Sequence, residues 1–206
     1  MEEIGLFPLG MVLLPSELVP LHIFEPRYRE LIGECLDEER PFGLLLADAD
    51  DGTRDVGTLA LVTEVLERFD DGRLNVVVEG GERFRVVELT GGRSFRTAMV
   101  ESVEDEEEPV DEPLRAQALA LFERIVELTA SEVDAPDPTH PQLSFAVAAR
   151  FELGPELKQE LLQETSEATR LRRLCEILDG AAEAVERQRE IAARAQGNGR
   201  VHRPGA

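Results

Sequence analysis

Lysine is nearly missing from this chain. Of its 22 basic residues 21 are Arg, and Lys158 stands alone. A phosphate-binding P-loop needs a Lys after a Gly-rich turn. Lys158 sits instead in Glu156-Leu157-Lys158-Gln159, a helical stretch whose polar face is expected to be exposed. No P-loop follows, and a Ser–Lys nucleophile would need the same Lys with a depressed pKa. Positive charge is short overall, with 22 basic residues against 43 acidic and a net charge of −21. Nucleic acids and anionic membranes are both held by clustered Lys and Arg. Both partners are therefore disfavoured.

Cysteine is scarce as well. Cys35 and Cys175 stand far apart with no CxxC spacing, so free buried thiols and a cytoplasmic location are expected. The three histidines, His22, His140 and His202, form no HExxH and no pair at ligand spacing. His22 with Cys35 is the only His–Cys pair near in sequence, and nothing else supports a nucleophile there. Asp48, Asp50 and Asp51 before Gly52 faintly suggest a calcium loop. Gly52 falls one place early, however, and the twelfth position is Leu59 rather than Glu, so a polar hairpin loop is expected. No metal, no cofactor and no catalytic residue is assigned. Long apolar runs are absent too. The longest, Ile4 to Leu14, is broken by Gly5, Pro8 and Gly10, where a membrane span needs about 20 residues. Glu2 and Glu3 precede it, which does not suit a secretory signal.

What is present is a globular composition, 42% hydrophobic and 32% charged. Residues 1–100 hold 20 acidic and 10 basic side chains. Five prolines punctuate the first 42 residues (Pro8, Pro15, Pro20, Pro26 and Pro41), so only short strands fit, around Gly5–Pro8 and Leu21–Phe24. After Pro26, Tyr28, Leu31, Ile32, Cys35 and Leu36 follow helical spacing. From Phe42 to Val103 the period is two. Phe42–Ala47 and Gly57–Leu66 read as strands, the second apolar on both faces and so central. Asp71-Gly72 signals a hairpin, and Gly80-Gly81 and Gly91-Gly92 signal two further turns. Phe84–Leu89 and Phe95–Val103 are the neighbouring strands. Short strands at this spacing indicate a barrel or sandwich.

Residues 104–112, EDEEEPVDE, carry no basic residue and read as a solvated acidic linker. Helical spacing follows in Leu114, Ala118, Leu121, Ile125 and Leu128. An apolar helix over Leu143–Phe151, a restart at Gly154-Pro155, and a long last helix through Leu171, Leu174, Leu178, Ala181 and Val185 complete the chain. The organisation expected is a β-barrel domain over 1–103, the linker over 104–112, a helical domain over 113–195 and a disordered tail over 196–206.

One segment is more specific. Leu6-Phe7-Pro8-Leu9, Val12-Leu13-Leu14-Pro15 and Pro20-Leu21-His22-Ile23-Phe24-Glu25-Pro26-Arg27-Tyr28 resemble the N-terminal substrate-recognition domain of the ATP-dependent protease Lon. Val56-Gly57-Thr58, Asp71-Gly72-Arg73, Gly81-Glu82-Arg83-Phe84 and Leu157 to Leu162 fit the same family, over about residues 4 to 180. The resemblance implies an α+β fold: a twisted PUA-like β-barrel with one embedded helix, then an α-helical bundle with a long C-terminal helix. The ATPase and Ser–Lys proteolytic modules of Lon have no counterpart in these 206 residues. The chain is thus similar to stand-alone LON-domain proteins.

The function implied is a noncatalytic module that binds unfolded or flexible polypeptide, by strand addition or in an apolar groove. An ATP-dependent protease or chaperone is the protein partner to consider, with an adaptor role as the alternative. RNA binding by a PUA-like barrel and an enzyme with an unrecognised site are weaker alternatives. Phe7, Leu9, Leu21, Ile23 and Phe24 read as core. The candidate partner-binding residues are Glu25, Arg27, Tyr28 and Arg29 at the strand–helix corner, with Phe69, Phe95 and Met99 on strands near turns. Arg27 is also a candidate to pair with a carboxylate and hold that corner.

Overall fold

The structure, a computed structural model, describes residues 1–47 and 52–198. The Asp48, Asp50 and Asp51 loop, His202 and most of the expected tail lie outside the described residues. Six strands come first: β1 (Glu2–Leu9), β2 (Leu18–Ile23), β3 (Phe42–Leu46), β4 (Val56–Arg68), β5 (Leu74–Thr90) and β6 (Thr97–Ser102). Helix α1 (Pro26–Asp37) lies between β2 and β3. Four more helices follow: α2 (Glu112–Thr129), α3 (Leu143–Ala148), α4 (Pro155–Gln163) and α5 (Glu167–Asn198). The class is α+β. The last helix runs through 196–198, where disorder was expected. It buries Ala182 rather than Ala181.

The sheet runs β2-β5-β4-β3-β1-β6, and β6 also pairs with β5. That extra pairing closes β1, β3, β4, β5 and β6 into a barrel, which removes their free edges. β1 and β3 are parallel, and the other pairs are antiparallel. β2 hangs on the first half of β5 and has no second neighbour among the described residues. β4 is central, as its two apolar faces predict. Gly72 (φ 85°) and Gly92 (φ 99°) take left-handed turn positions that favour Gly.

Gly80-Gly81 is not a turn. β5 passes straight through it. A Cβ at Gly80 would collide with the carbonyl oxygen of Leu14, so this Gly permits a close backbone crossing instead. The crossing segment is the β1–β2 connection, tied down by Ser16 N–H to Gly80 O (2.7 Å) and by Thr58 Oγ1 to Leu13 O (2.6 Å). Its side chains alternate between two cores. Leu13 joins Phe7, Ile23, Tyr28, Leu31 and Phe42 inside the barrel. Val12 and Leu14 join the core of the helices, with Leu46 and Val56 from the strands and Phe122, Leu161 and Leu174 from the bundle. The helices therefore pack on residues of the barrel half.

The acidic segment is not wholly solvated either. Asp105 lies between two buried arginines. Arg170 binds it through both Nη atoms (2.6 Å each), and Arg83 Nη2 reaches the same carboxylate. Arg170 also donates to Glu167 Oε2 (2.7 Å) and Ser144 Oγ (2.9 Å), and Arg83 to the carbonyls of Leu162 (3.0 Å) and Glu164 (2.8 Å). Both guanidiniums lie over the Phe145 ring, at 4.3 and 5.4 Å. Lys158, expected on an exposed face, is 8% exposed and paired with the buried Glu17 of the β1–β2 connection.

Candidate functional site

Pro20 and Pro26 bracket the corner where β2 becomes α1. Glu25 is the N-cap of α1 in extended conformation, and Pro26 fills the first helical turn, where a missing N–H is harmless. The Glu25 carbonyl accepts the amides of Tyr28 and Arg29, both at 3.0 Å. Arg27 pairs with Glu25 at 2.8 Å and lies 4.5 Å from the Tyr28 ring centre. Arg27 thus braces the corner, and its head stays half in water. Tyr28 itself is 6% exposed and stacks on Phe7 at 4.1 Å. Burial pushes its hydroxyl pKa up, against the lowering charge of Arg27.

Arg29 crosses to the β4–β5 hairpin and donates to the Asp71 carbonyl. That hairpin carries Phe69, half-buried, with Arg73 at 4.8 Å over its ring and the Arg73–Asp71 pair at 2.7 Å beside it. Four of the seven candidates, Glu25, Arg27, Arg29 and Phe69, are therefore gathered at one end of the β2–β5–β4 sheet. Tyr28 is at the same corner but turned into the core, and the remaining two are elsewhere. Phe95 is 4% exposed in the barrel core, and Met99 pairs with Glu3 and Glu88 on β6.

Phe24, expected in the core, is 59% exposed. It stacks with His22 at 5.9 Å, and His22 meets Phe69 edge-on at 6.1 Å. His22 Nδ1 contacts Asn75 Oδ1 at 2.6 Å, and Asn75 Nδ2 donates to Glu67 Oε2 at 3.1 Å. The same face continues along β2. Cross-strand partners share a face, and the registers give three outward rows: Leu18–Glu79–Leu61, Pro20–Val77–Glu64 and His22–Asn75–Glu67. Leu18 is 61% exposed. Val19, Leu21 and Ile23 point the other way, into the barrel. Both faces of β2 are thus apolar, and only the period-two alternation separates them. The sequence carries that alternation, and Phe24 continues the outward set.

An open cleft of about 520 Å³ lies where the strands meet the helical half, lined in part by Gly80, Glu82, Arg83, Glu104, Asp105 and His140. Among the described residues no group of three His, Cys, Asp or Glu is placed to hold a metal. Cys35 is buried, and desolvation pushes its thiol up to about 11, which leaves it a poor nucleophile at neutral pH. His22 is engaged with Asn75 and two aromatic rings instead. Among the described residues no helix is long and apolar enough to cross a membrane.

A small mixed β-barrel with a helical half behind it is the architecture of Lon N-terminal domains. The structure aligns with a Lon N-terminal domain protein from Xanthomonas campestris at a TM-score of 0.67 and 26% identity, covering 84% of this chain and 97% of that one. It aligns with the N-terminal domain of the Mycobacterium avium complex Lon protease at 0.62 and 18% identity, a likeness of fold alone. The model of the ATP-dependent protease La (LON) substrate-binding domain matches residues 3–180. The chain belongs to that family. Its curated relatives include the Lon protease of Anaeromyxobacter dehalogenans, 28% identical over 87% of this chain, and Lon protease 2 of Myxococcus xanthus, 27% identical over 92%. The chain spans about a quarter of the length of each (23% and 25%).

Proposed function

We propose that this chain is a noncatalytic module that holds unfolded or flexible polypeptide on the outward face of β2, β5 and β4. The observation that carries this reading is the exposed run Leu18, Pro20 and His22 on every second residue of β2, continued by Phe24 just past its end, with Phe69 edge-on to His22. Large apolar side chains gathered on a soluble surface mark interaction sites. Family membership supports the same reading. Lodging on the face is favoured over strand addition, because Pro20 offers no N–H on the free edge of β2. Glu25, Arg27 and Arg29 frame the end of the face and orient what binds there. Tyr28 and Phe95 act from within the core, and Met99 lies apart.

The finer form of the reading is an adaptor that passes clients to an ATP-dependent protease or chaperone. A cytoplasmic setting suits the two buried free thiols, Cys35 and Cys175. The test is fluorescence anisotropy with a labelled client in its reduced, unfolded form and in its folded form. Binding of the unfolded form alone is expected, and equal or absent binding of both overturns the reading.

A further inference from the structure

The outward face of β2, β5 and β4 is not simply apolar. In its three rows Leu18 and Leu61 flank Glu79, Pro20 and Val77 lie beside Glu64, and His22 and Asn75 lie beside Glu67. Apolar groups and carboxylates are thus interleaved across neighbouring strands. None of Glu64, Glu67 and Glu79 has an ion-pair partner among the described residues. Glu67 accepts only the Asn75 amide, and no side-chain hydrogen bond engages the other two. The nearby cations are otherwise committed or face away. Arg27 is held by Glu25 and Arg73 by Asp71. Arg29 is drawn to the Asp71 carbonyl. Arg68, exposed at the end of β4, stands opposite Leu74 and so leaves the strand pair on the side away from the three carboxylates.

From this the geometry points to a specific occupant: an extended segment of a partner protein in which apolar residues alternate with Lys or Arg. Such a segment sets its apolar side chains on Leu18, Leu61 and Phe24 and its cations among the three carboxylates. Acidic segments meet like charge and are rejected. The inference rests on the polypeptide-binding reading above and adds the charge class of the client.

The net charge of −21 would attract any cationic peptide weakly, so the test must separate this face from the whole molecule. Three short labelled peptides alternate Leu with Lys, with Gln or with Glu. At low salt the Lys peptide is expected to bind about 10-fold more tightly than the Gln peptide, with the Glu peptide weakest. The triple variant Glu64→Gln/Glu67→Gln/Glu79→Gln should bring the Lys peptide down to the Gln level. The distant triple Glu107→Gln/Glu132→Gln/Glu183→Gln carries the same charge change and should alter binding less than about twofold. All six positions are exposed, so folding is not at stake. Equal affinity for Lys and Gln peptides, or equal loss in both triples, overturns the inference and leaves the polypeptide-binding reading standing. No binding of any peptide, with an unfolded client still bound, overturns the inference alone. No binding of peptide or unfolded client overturns both.

Discussion

Lys158 on α4 is ion-paired with Glu17 of the β1–β2 connection, both side chains only 10% exposed. The other carboxylate oxygen of Glu17 accepts the Leu14 amide at 2.9 Å. The single lysine of the chain therefore fastens the helical half to the loop that crosses β5 at Gly80. Removing one member of such a pair strands a buried charge. Lys158→Met is expected to lower unfolding stability by about 3 kcal/mol. The double variant Glu17→Gln/Lys158→Met keeps an acceptor for Leu14 and leaves no charge, so it should recover more than half of the loss. Urea denaturation of the two variants checks this. A double variant no more stable than the single would show that the pair's charge is not what matters.

Asp105 makes the second fastening, between Arg83 of β5 and Arg170 of α5. Burial alone would raise its pKa, but hydrogen bonds from Arg170 and Gln142 and the charges of Arg170 and Arg83 hold it below the usual carboxylate value. A folded-state pKa below the unfolded one adds stability above the unfolded value, near pH 4. That stability fades as the pH falls through the lower, folded value. Asp105→Asn should cost about 2–3 kcal/mol at neutral pH, since the buried Arg83 loses its counter-ion and the buried Arg170 is left with Glu167 alone. It should also flatten the fall in stability below about pH 4. Urea midpoints followed from neutral to acid pH measure both effects. An unchanged acid slope would assign the pH dependence to other carboxylates.

The residues that were legible in the sequence are those whose partners lie close along the chain. Pro26, Tyr28, Leu31, Ile32 and Cys35 announce α1 because helical contacts are three and four residues apart. Asp71-Gly72 announces its hairpin for the same reason. Asp105 was not legible. It sits in a run of acids, and its two arginines stand at positions 83 and 170, so nothing local separates it from the solvated Glu107. Lys158 was hidden likewise by a partner at position 17. Phe24 was misplaced because an aromatic at a strand end is as often core as rim, and only its exposure and its contact with the His22 ring set it on the outward side. The gathering of Glu25, Arg27, Arg29 and Phe69 at one end of the sheet depends on a contact between α1 and the β4–β5 hairpin that no sequence spacing records.

Gly80 and Gly81 look alike in sequence and should behave differently. A Cβ at Gly80 collides with backbone, the Leu14 carbonyl, which is tied through its neighbours to Gly80 and Thr58. A Cβ at Gly81 comes to 3.3 Å from the Leu59 oxygen, a contact that needs only a small adjustment. Gly80→Ala is expected to lose about 3 kcal/mol or fail to fold, and Gly81→Ala less than about 1 kcal/mol. Thermal melts of the two variants decide the matter. Equal melting temperatures would mean that the crossing segment yields easily.

Phe24 separates binding from folding. Its ring is largely exposed and stacked on His22, which in turn meets Phe69 edge-on, so Phe24→Ser removes a contact surface without opening a cavity. Stability should stay within about 0.5 kcal/mol of the parent chain. Affinity for an unfolded client should fall about 10-fold if this ring is an anchor of the face, the usual scale for an aromatic hot spot. Phe95→Ser offers the contrast. That ring packs in the barrel core beside Leu31, and its loss should destabilise the fold by about 3 kcal/mol or more, with client affinity of the folded fraction unchanged. Anisotropy titrations paired with urea curves give both numbers for each variant. A Phe24→Ser chain that binds as the parent does would move the client away from β2, and the cleft beside Glu82 and His140 would become the next surface to probe.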